Sequence, residues 1–239
     1  MDHTFENYKM ETFLFKERTA RVIYPNCEGN GRLIWKAEYW NAFPDFEIEM
    51  LNRGYFWCNL EHATRWAPDE ETAISAEFIK FVANKLEIEP KCIPVGMSCG
   101  GLQVLRLAEL YPDLVSVLYL DAPVVNILSM VGLGEAEFNP DHWRDLVSTY
   151  GFSKSTVVNF RKSPIDAMNV LIENDIPIIM LYGNADNTVI YEENGKALED
   201  YYLEHGGTMK VISRSMCAHH PHGLKDPGPI INFIETHIR

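Results

Sequence analysis

Between residues 96 and 100 the chain reads Gly-Met-Ser-Cys-Gly, with Ser98 at the centre. The apolar run CIPVGM leads into it and the helix-like run CGGLQVLRLAELY leaves it. A serine at such a junction is either the N-cap of the helix or a nucleophile held on a sharp strand-to-helix turn. The small residues Gly96 and Gly100 favour the turn, because strand and helix can then approach without a side-chain clash. A serine hydroxyl is a weak nucleophile unaided. It needs a base within hydrogen-bond reach and an acid to orient that base. The amide of Cys99, at the helix start, is placed to hold an oxyanion.

Acyl-transfer chemistry on such a turn calls for an acid after one later strand and a histidine after the next. Asp186 follows the strand-like run IPIIMLYG on the loop NADNTV. Asp121, at the end of LYLDAP, is the alternative acid. The run TMKVISR leads into SMCAHHPHGLKDP, which carries His219, His220 and His222 on one loop. The order small residue, His, bulky residue, Pro, His points to His219 as the base, with His220 as its competitor. His220 and His222 then take supporting or substrate-side positions. Three close histidines could also suggest a metal, but adjacent side chains diverge on an extended backbone and there is no H-E-x-x-H. Neither a metal nor a cofactor is expected.

These residues need elements to position them. Strand-like and helix-like runs alternate along the chain, the pattern of a mostly parallel sheet with helices on both faces. METFLFKERTARVIYP reads as a hairpin whose second strand ends at Pro25, followed by a long loop, NCEGNGRLIWKAEYW. A helix around Asp45–Asn52 stops at Gly54, YFWCNLE is a buried strand, and a helix of about four turns starts at Asp69. Asp69, Glu70 and Glu71 suit its positive end. The last helix covers Pro229–Ile238. Residues 125–164 are less regular and read as a small helical lid inserted into one domain spanning 1–239. No repeat or linker interrupts that domain.

The 239 residues carry 34 acids against 21 bases, a formal charge of −13. That balance repels a phosphate backbone or an anionic membrane, so neither is an expected partner. No run approaches the roughly 18 apolar residues of a membrane span, and the polar N-terminus lacks the features of a signal peptide. Five cysteines, an odd number without a C-x-x-C pair, fit free thiols in a reducing cytoplasm. The oligomeric state is not legible.

Ser98, Asp186 and His219, in this order and each after a strand, resemble the α/β-hydrolase superfamily, and the match covers nearly the whole chain. LIWKAEYW, GMSCGG and HHPHGLKDP look more narrowly like a group of compact bacterial hydrolases, which often carry Trp-Arg where this chain has Trp35-Lys36. The resemblance implies a mostly parallel sheet of about eight strands and chemistry through a serine ester. It also implies a second oxyanion amide in the loop after the early strand, within 26–32, where Cys27 or Glu28 would supply it. Relatives commonly have Gly before the histidine, where this chain has Ala218.

The expected function is a serine hydrolase that cleaves a small carboxylic ester, carbohydrate-linked or otherwise. Peptidase, thioesterase or acyltransferase chemistry and a non-catalytic ligand receptor are the alternatives. Ligands of open α/β sheets sit at the C-terminal ends of the strands. That nominates aromatic candidates for a flat ligand, Trp35 and Trp143 among them with Tyr39, Trp40 and Trp66. Lys36 and Arg65 could meet a substrate carboxylate.

Overall fold

The structure, a computed structural model, describes residues 2–238. Nine strands form one sheet: β1 (Asp2–Phe5), β2 (Tyr8–Phe15), β3 (Arg18–Ile23), β4 (Leu33–Lys36), β5 (Phe56–Leu60), β6 (Cys92–Met97), β7 (Leu118–Asp121), β8 (Ile178–Gly183) and β9 (Met209–Arg214). Their order is β1-β2-β3-β5-β4-β6-β7-β8-β9. The first three strands form an antiparallel meander and β3 also pairs antiparallel with β5, whereas every pair from β5 to β9 is parallel. The hairpin expected over 10–25 is β2–β3. The stretch expected to be a loop, 26–40, contains β4 at the middle of the sheet.

The central parallel strands β4, β6, β7 and β8 are buried on both faces, and their side chains divide with period two. Leu33, Trp35, Leu118, Leu120, Ile178 and Met180 enter one core. Ile34, Ile93, Val95, Tyr119, Ile179 and Leu181 enter the other. The helices α2 (Asp69–Leu86), α3 (Cys99–Leu110), α6 (Met168–Glu173) and α7 (Gly195–Glu204) cover the first face. The helices α1 (Asp45–Asn52) and α8 (Gly228–His237) cover the second. Phe78, Ile79 and Val82 of α2 are fully buried, each contributing about 1.5–3 kcal/mol by leaving water. Three acids open α2, and it ends where Glu87 turns left-handed at φ 56°.

The chain leaves β4 to one side, toward β5, while β6 lies on its other side. This reversal opens a crevice at the C-terminal ends of β4 and β6. Residues 125–164 carry the short helices α4 (Ile127–Met130) and α5 (Pro140–Tyr150). With Trp66, Cys99, Leu102 and Val189 they build a third apolar cluster over the start of α3. Asn139 starts α5 by accepting from the amides of Asp141 and His142, and Gly151 ends it at φ 71°. Among the described residues no helix is long and apolar enough to cross a membrane.

Candidate active site

Ser98 links β6 to α3 with φ 53° and ψ −120°, a conformation that costs a residue with a side chain. The turn is held from three directions. The Ser98 amide donates to the Asp121 carbonyl, and the Ser98 carbonyl accepts from Gly101 and Val124. The tightness explains the glycines: a Cβ on Gly96 would lie 2.6 Å from the Gly100 carbonyl oxygen, and one on Gly101 would lie 2.4 Å from the Pro123 Cβ. No side-chain cap is formed at Ser98, so the N-cap reading fails.

The hydroxyl has a partner. His219 Nε2 lies 3.0 Å from Ser98 Oγ, and His219 Nδ1 lies 2.7 Å from Asp186 Oδ2. All three residues are buried. The other Asp186 oxygen accepts from the amides of Thr188 and Val189. Burial alone would raise the Asp186 pKa, but His219 and these amides outweigh it and hold the carboxyl below its ordinary value. An ionised Asp186 only accepts, so Nδ1 carries the proton and the Nε2 lone pair is left to face Ser98.

Backbone pairing places the two supporting loops. The loop after β8 and the loop after β9 are joined by Ala185 N–H donating to Cys217 O and Met216 N–H donating to Asn184 Oδ1. Gly183 allows this approach, since a Cβ there would sit 2.3 Å from the Cys217 carbonyl oxygen. Ala218, where glycine is common, is exposed and has no positive φ; its methyl group meets no obstacle.

The alternative acid, Asp121, is also fully buried but is occupied elsewhere. It accepts from Arg214 Nη2 at 2.5 Å and from the Gly223 amide at 2.6 Å, and His222 Nδ1 stands 3.1 Å away. His222 is therefore buried beside Asp121, although neither of its ring nitrogens meets hydrogen-bond geometry. His220 is exposed and stacks on Phe43. One ring nitrogen from each of His219, His220 and His222 lies within 4.8 Å of the others, but Asp186, Phe43 and Asp121 account for the three orientations.

Several expected site residues lie elsewhere. Cys27 precedes β4 and its thiol points at the Leu51 and Asn52 carbonyls at the end of α1. It sits at the N-terminal end of the parallel strands, so it cannot serve an oxyanion at the C-terminal end; Glu28 shares that loop. Trp35 is fully buried in the core under α2 and α3. Trp143 is half-buried between Phe138 and Phe152. Lys36 is sealed in an ion pair 3.1 Å from Glu47 and donates to the Ala42 carbonyl.

Glu38, on the loop that follows β4, was not foreseen from the sequence, and its neighbour Tyr39 was expected only as an aromatic ligand contact. A Cβ on Gly100 would touch Glu38 at 3.3 Å, so this loop packs against the start of α3. Tyr39 stands beside Ser98 and Cys99, close enough for its phenol to interact with both side chains. Its partial burial, and then the charges of Cys99 and Glu38, push its pKa up to about 12, so the phenol is a neutral donor. Gln103 donates to Glu38 at 2.7 Å. Burial raises the Glu38 carboxyl despite Gln103 and the charge of Arg65. The signal available in the sequence was the unbroken apolar LIW: read as a strand, it puts Glu38 and Tyr39 on the C-terminal rim.

No protein-family model matches the sequence, and no curated protein matches it. Solved structures do resemble the fold. An acylaminoacyl peptidase in complex with Z-Gly-Gly-Phe-chloromethyl ketone superposes with a TM-score of 0.75 at 13% identity, over 97% of this chain and 42% of that one. The Pyrococcus horikoshii acylaminoacyl peptidase gives 0.72 at 11% identity, with the same coverage of 97% and 42%. An alpha/beta hydrolase enzyme from the metagenome of lagoon sediments at Mar Chica, Morocco, gives 0.55 at 16% identity, over 95% of this chain and 96% of that one. The chain thus spans about two fifths of the length of these peptidases. With its nine-stranded, mostly parallel sheet, this chain has the α/β-hydrolase fold.

Proposed function

We propose that the chain is a serine hydrolase that cleaves a carboxylic ester through an acyl-enzyme on Ser98. The observation that carries this reading is the unbroken relay from Ser98 Oγ through His219 to Asp186, at 3.0 and 2.7 Å. In the first step His219 Nε2 takes the hydroxyl proton while Oγ attacks the carbonyl carbon. Asp186 fixes the tautomer and stabilises the imidazolium. Negative charge then develops on the carbonyl oxygen. Cys99 N–H, at the helix start without an intrahelical acceptor, meets it from one side. In place of Cys27, the loop after β4 supplies the second donor, the neutral Tyr39 phenol. Collapse expels the alcohol, which leaves with the proton from His219. Water, deprotonated by His219, then attacks the acyl-enzyme by the same route and frees the acid.

Amide cleavage is the second reading, favoured by the acylaminoacyl peptidases among the similar folds. Five cysteines without a disulfide suit a reducing compartment, and we place the enzyme in the cytoplasm acting on small molecules. A fluorophosphonate probe should label the wild-type protein and leave Ser98→Ala unlabelled. Across p-nitrophenyl esters and aminoacyl anilides, Ser98→Ala should lower kcat by about a millionfold with an unchanged circular dichroism spectrum. Equal labelling of both proteins would refute the scheme, and preference for the anilides would favour the amide reading.

A further inference from the structure

Arg65 lies on the loop joining β5 to α2 and is exposed. Its neighbour anchors it firmly. The Trp66 ring is fully buried, its Nε1 donates to Asp145 at 2.9 Å, and the Trp66 carbonyl accepts from the Tyr150 hydroxyl at 2.7 Å. The loop is thereby clamped to α5 while the guanidinium projects outward. Its one polar side-chain contact among the described residues is His142 Nε2 of α5, at 3.5 Å.

The guanidinium charge acts on Glu38, Tyr39, Cys99 and His142. Trp66 packs in one apolar cluster with Cys99, His62 of the same loop lies 3.8 Å from Glu38, and Arg65 meets His142 of α5, so Arg65 stands on the rim of the crevice between the loop after β4 and segment 125–164. His142 also lines a cleft of about 450 Å³ with Met130, Phe138, Asp141, Asn187 and Thr188. Thr188 in turn donates its amide to Asp186.

The other cations around this crevice are already paired. Lys36 has Glu47, Arg214 has Asp121, Arg106 has Asp69 and Glu109, and Lys162 has Asp69. Among the described residues Arg65 has no carboxylate within 4 Å, in a chain with 34 acids. Glu38, on the facing loop, is engaged by Gln103. An exposed guanidinium on an anchored loop, without a counter-ion, is suited to a planar anion that it can grip with two parallel hydrogen bonds. In a molecule of net charge −13, a small anion needs such a local attractor to enter at all.

We propose that Arg65 forms a carboxylate subsite, so that the preferred substrates carry a free carboxylate on the acyl or the alcohol part. This rests on the hydrolase reading above and narrows its substrate class.

The test compares matched ester pairs: mono-p-nitrophenyl glutarate against p-nitrophenyl valerate for the acyl side, and 4-butyryloxybenzoate against phenyl butyrate for the alcohol side. In at least one pair the wild type should favour the anionic member in kcat/KM. Arg65→Ala should lower that anionic-to-neutral ratio about 10- to 100-fold, Arg65→Lys should recover part of it, and 0.5 M salt should shrink it, roughly as screening requires. Glutarate should raise the Tm of Ser98→Ala protein but not of the Ser98→Ala, Arg65→Ala double variant. A ratio unaltered by Arg65→Ala, a wild-type preference for the neutral member of both pairs, or no glutarate effect on Ser98→Ala would each overturn the subsite. Fluorophosphonate labelling separates the two levels: a labelled enzyme without carboxylate preference sinks only the subsite, whereas an unlabelled one sinks the hydrolase reading beneath it.

Discussion

Two aspartate–histidine pairs stand side by side at the C-terminal edge of the sheet. Asp186 and His219 are 2.7 Å apart, Asp121 and His222 are 3.1 Å apart, and the two imidazole centres are separated by 5.0 Å. Asp186 follows β8 and Asp121 ends the adjacent β7, and the histidines share one loop. Their surroundings differ. The first pair ends on Ser98 Oγ. The second is closed by Arg214 and the Gly223 amide, so every strong interaction Asp121 can make is spent on holding the loop after β9. Identical chemical types thus divide into one pair positioned for proton transfer and one that builds the platform for it. The difference lies in what the far nitrogen of each histidine can reach.

The comparison is easiest to break at the first pair. Asp186→Asn keeps the size of the side chain but removes the preference for a proton on Nδ1. We expect kcat to fall about ten-thousandfold with little change in Tm, measured by steady-state hydrolysis and calorimetry on the same samples. Asp121→Asn should show the opposite division. It leaves Arg214 facing a neutral amide at a buried site, which costs about 3–5 kcal/mol, read as a lower urea midpoint. Its kcat at a temperature where it is still folded should stay within about tenfold, since its action on Ser98 is indirect. Equal effects of the two substitutions on kcat would erase the distinction.

A third histidine sharpens it. His62 is buried, lies 3.0 Å from Ser75 Oγ and has Glu38 at 3.8 Å. Burial, opposed by Glu71 and assisted by Arg18, lowers its pKa to about 4. The unfolded chain takes up a proton near pH 6.5 and the folded one does so only near 4. Stability from this source is therefore complete above pH 6.5 and declines as pH falls toward 4. About 2 kcal/mol should be gone by pH 5. The drop in urea midpoint between pH 7.5 and pH 5 should be smaller in His62→Gln than in the wild type. An equal drop would show that His62 is protonated in the fold.

Much of this arrangement was legible in the sequence. Ser98, Asp186 and His219 each follow a strand long or apolar enough to be read, and the period-two cores confirm the parallel sheet. The place of the loop after β4, which carries the proposed second oxyanion donor, was not. Leu33–Lys36 spans four residues and is buried on both faces, so it shows no alternation, and the preceding glycines made it look like loop. Missing it moved the expected donor to Cys27, at the wrong end of the strand. Trp35 and Lys36 were misread for the same reason: on a loop they would be available to ligand, but in a central strand an indole packs inward and an ammonium needs Glu47. The division between the two aspartates was also hidden, because it depends on Arg214 and Gly223, which come near Asp121 only in three dimensions.

The positive φ at position 98 has a consequence for the history of such chains. A side chain there works against folding by about 1–3 kcal/mol, and the residue that would relieve this is glycine, which has no chemistry to offer. Folding and reactivity therefore select different occupants of one position. On the proposed hydrolase reading, a descendant released from the reaction would gain robustness by drifting to glycine there, and the hydroxyl would persist only while something outside thermodynamics rewards it.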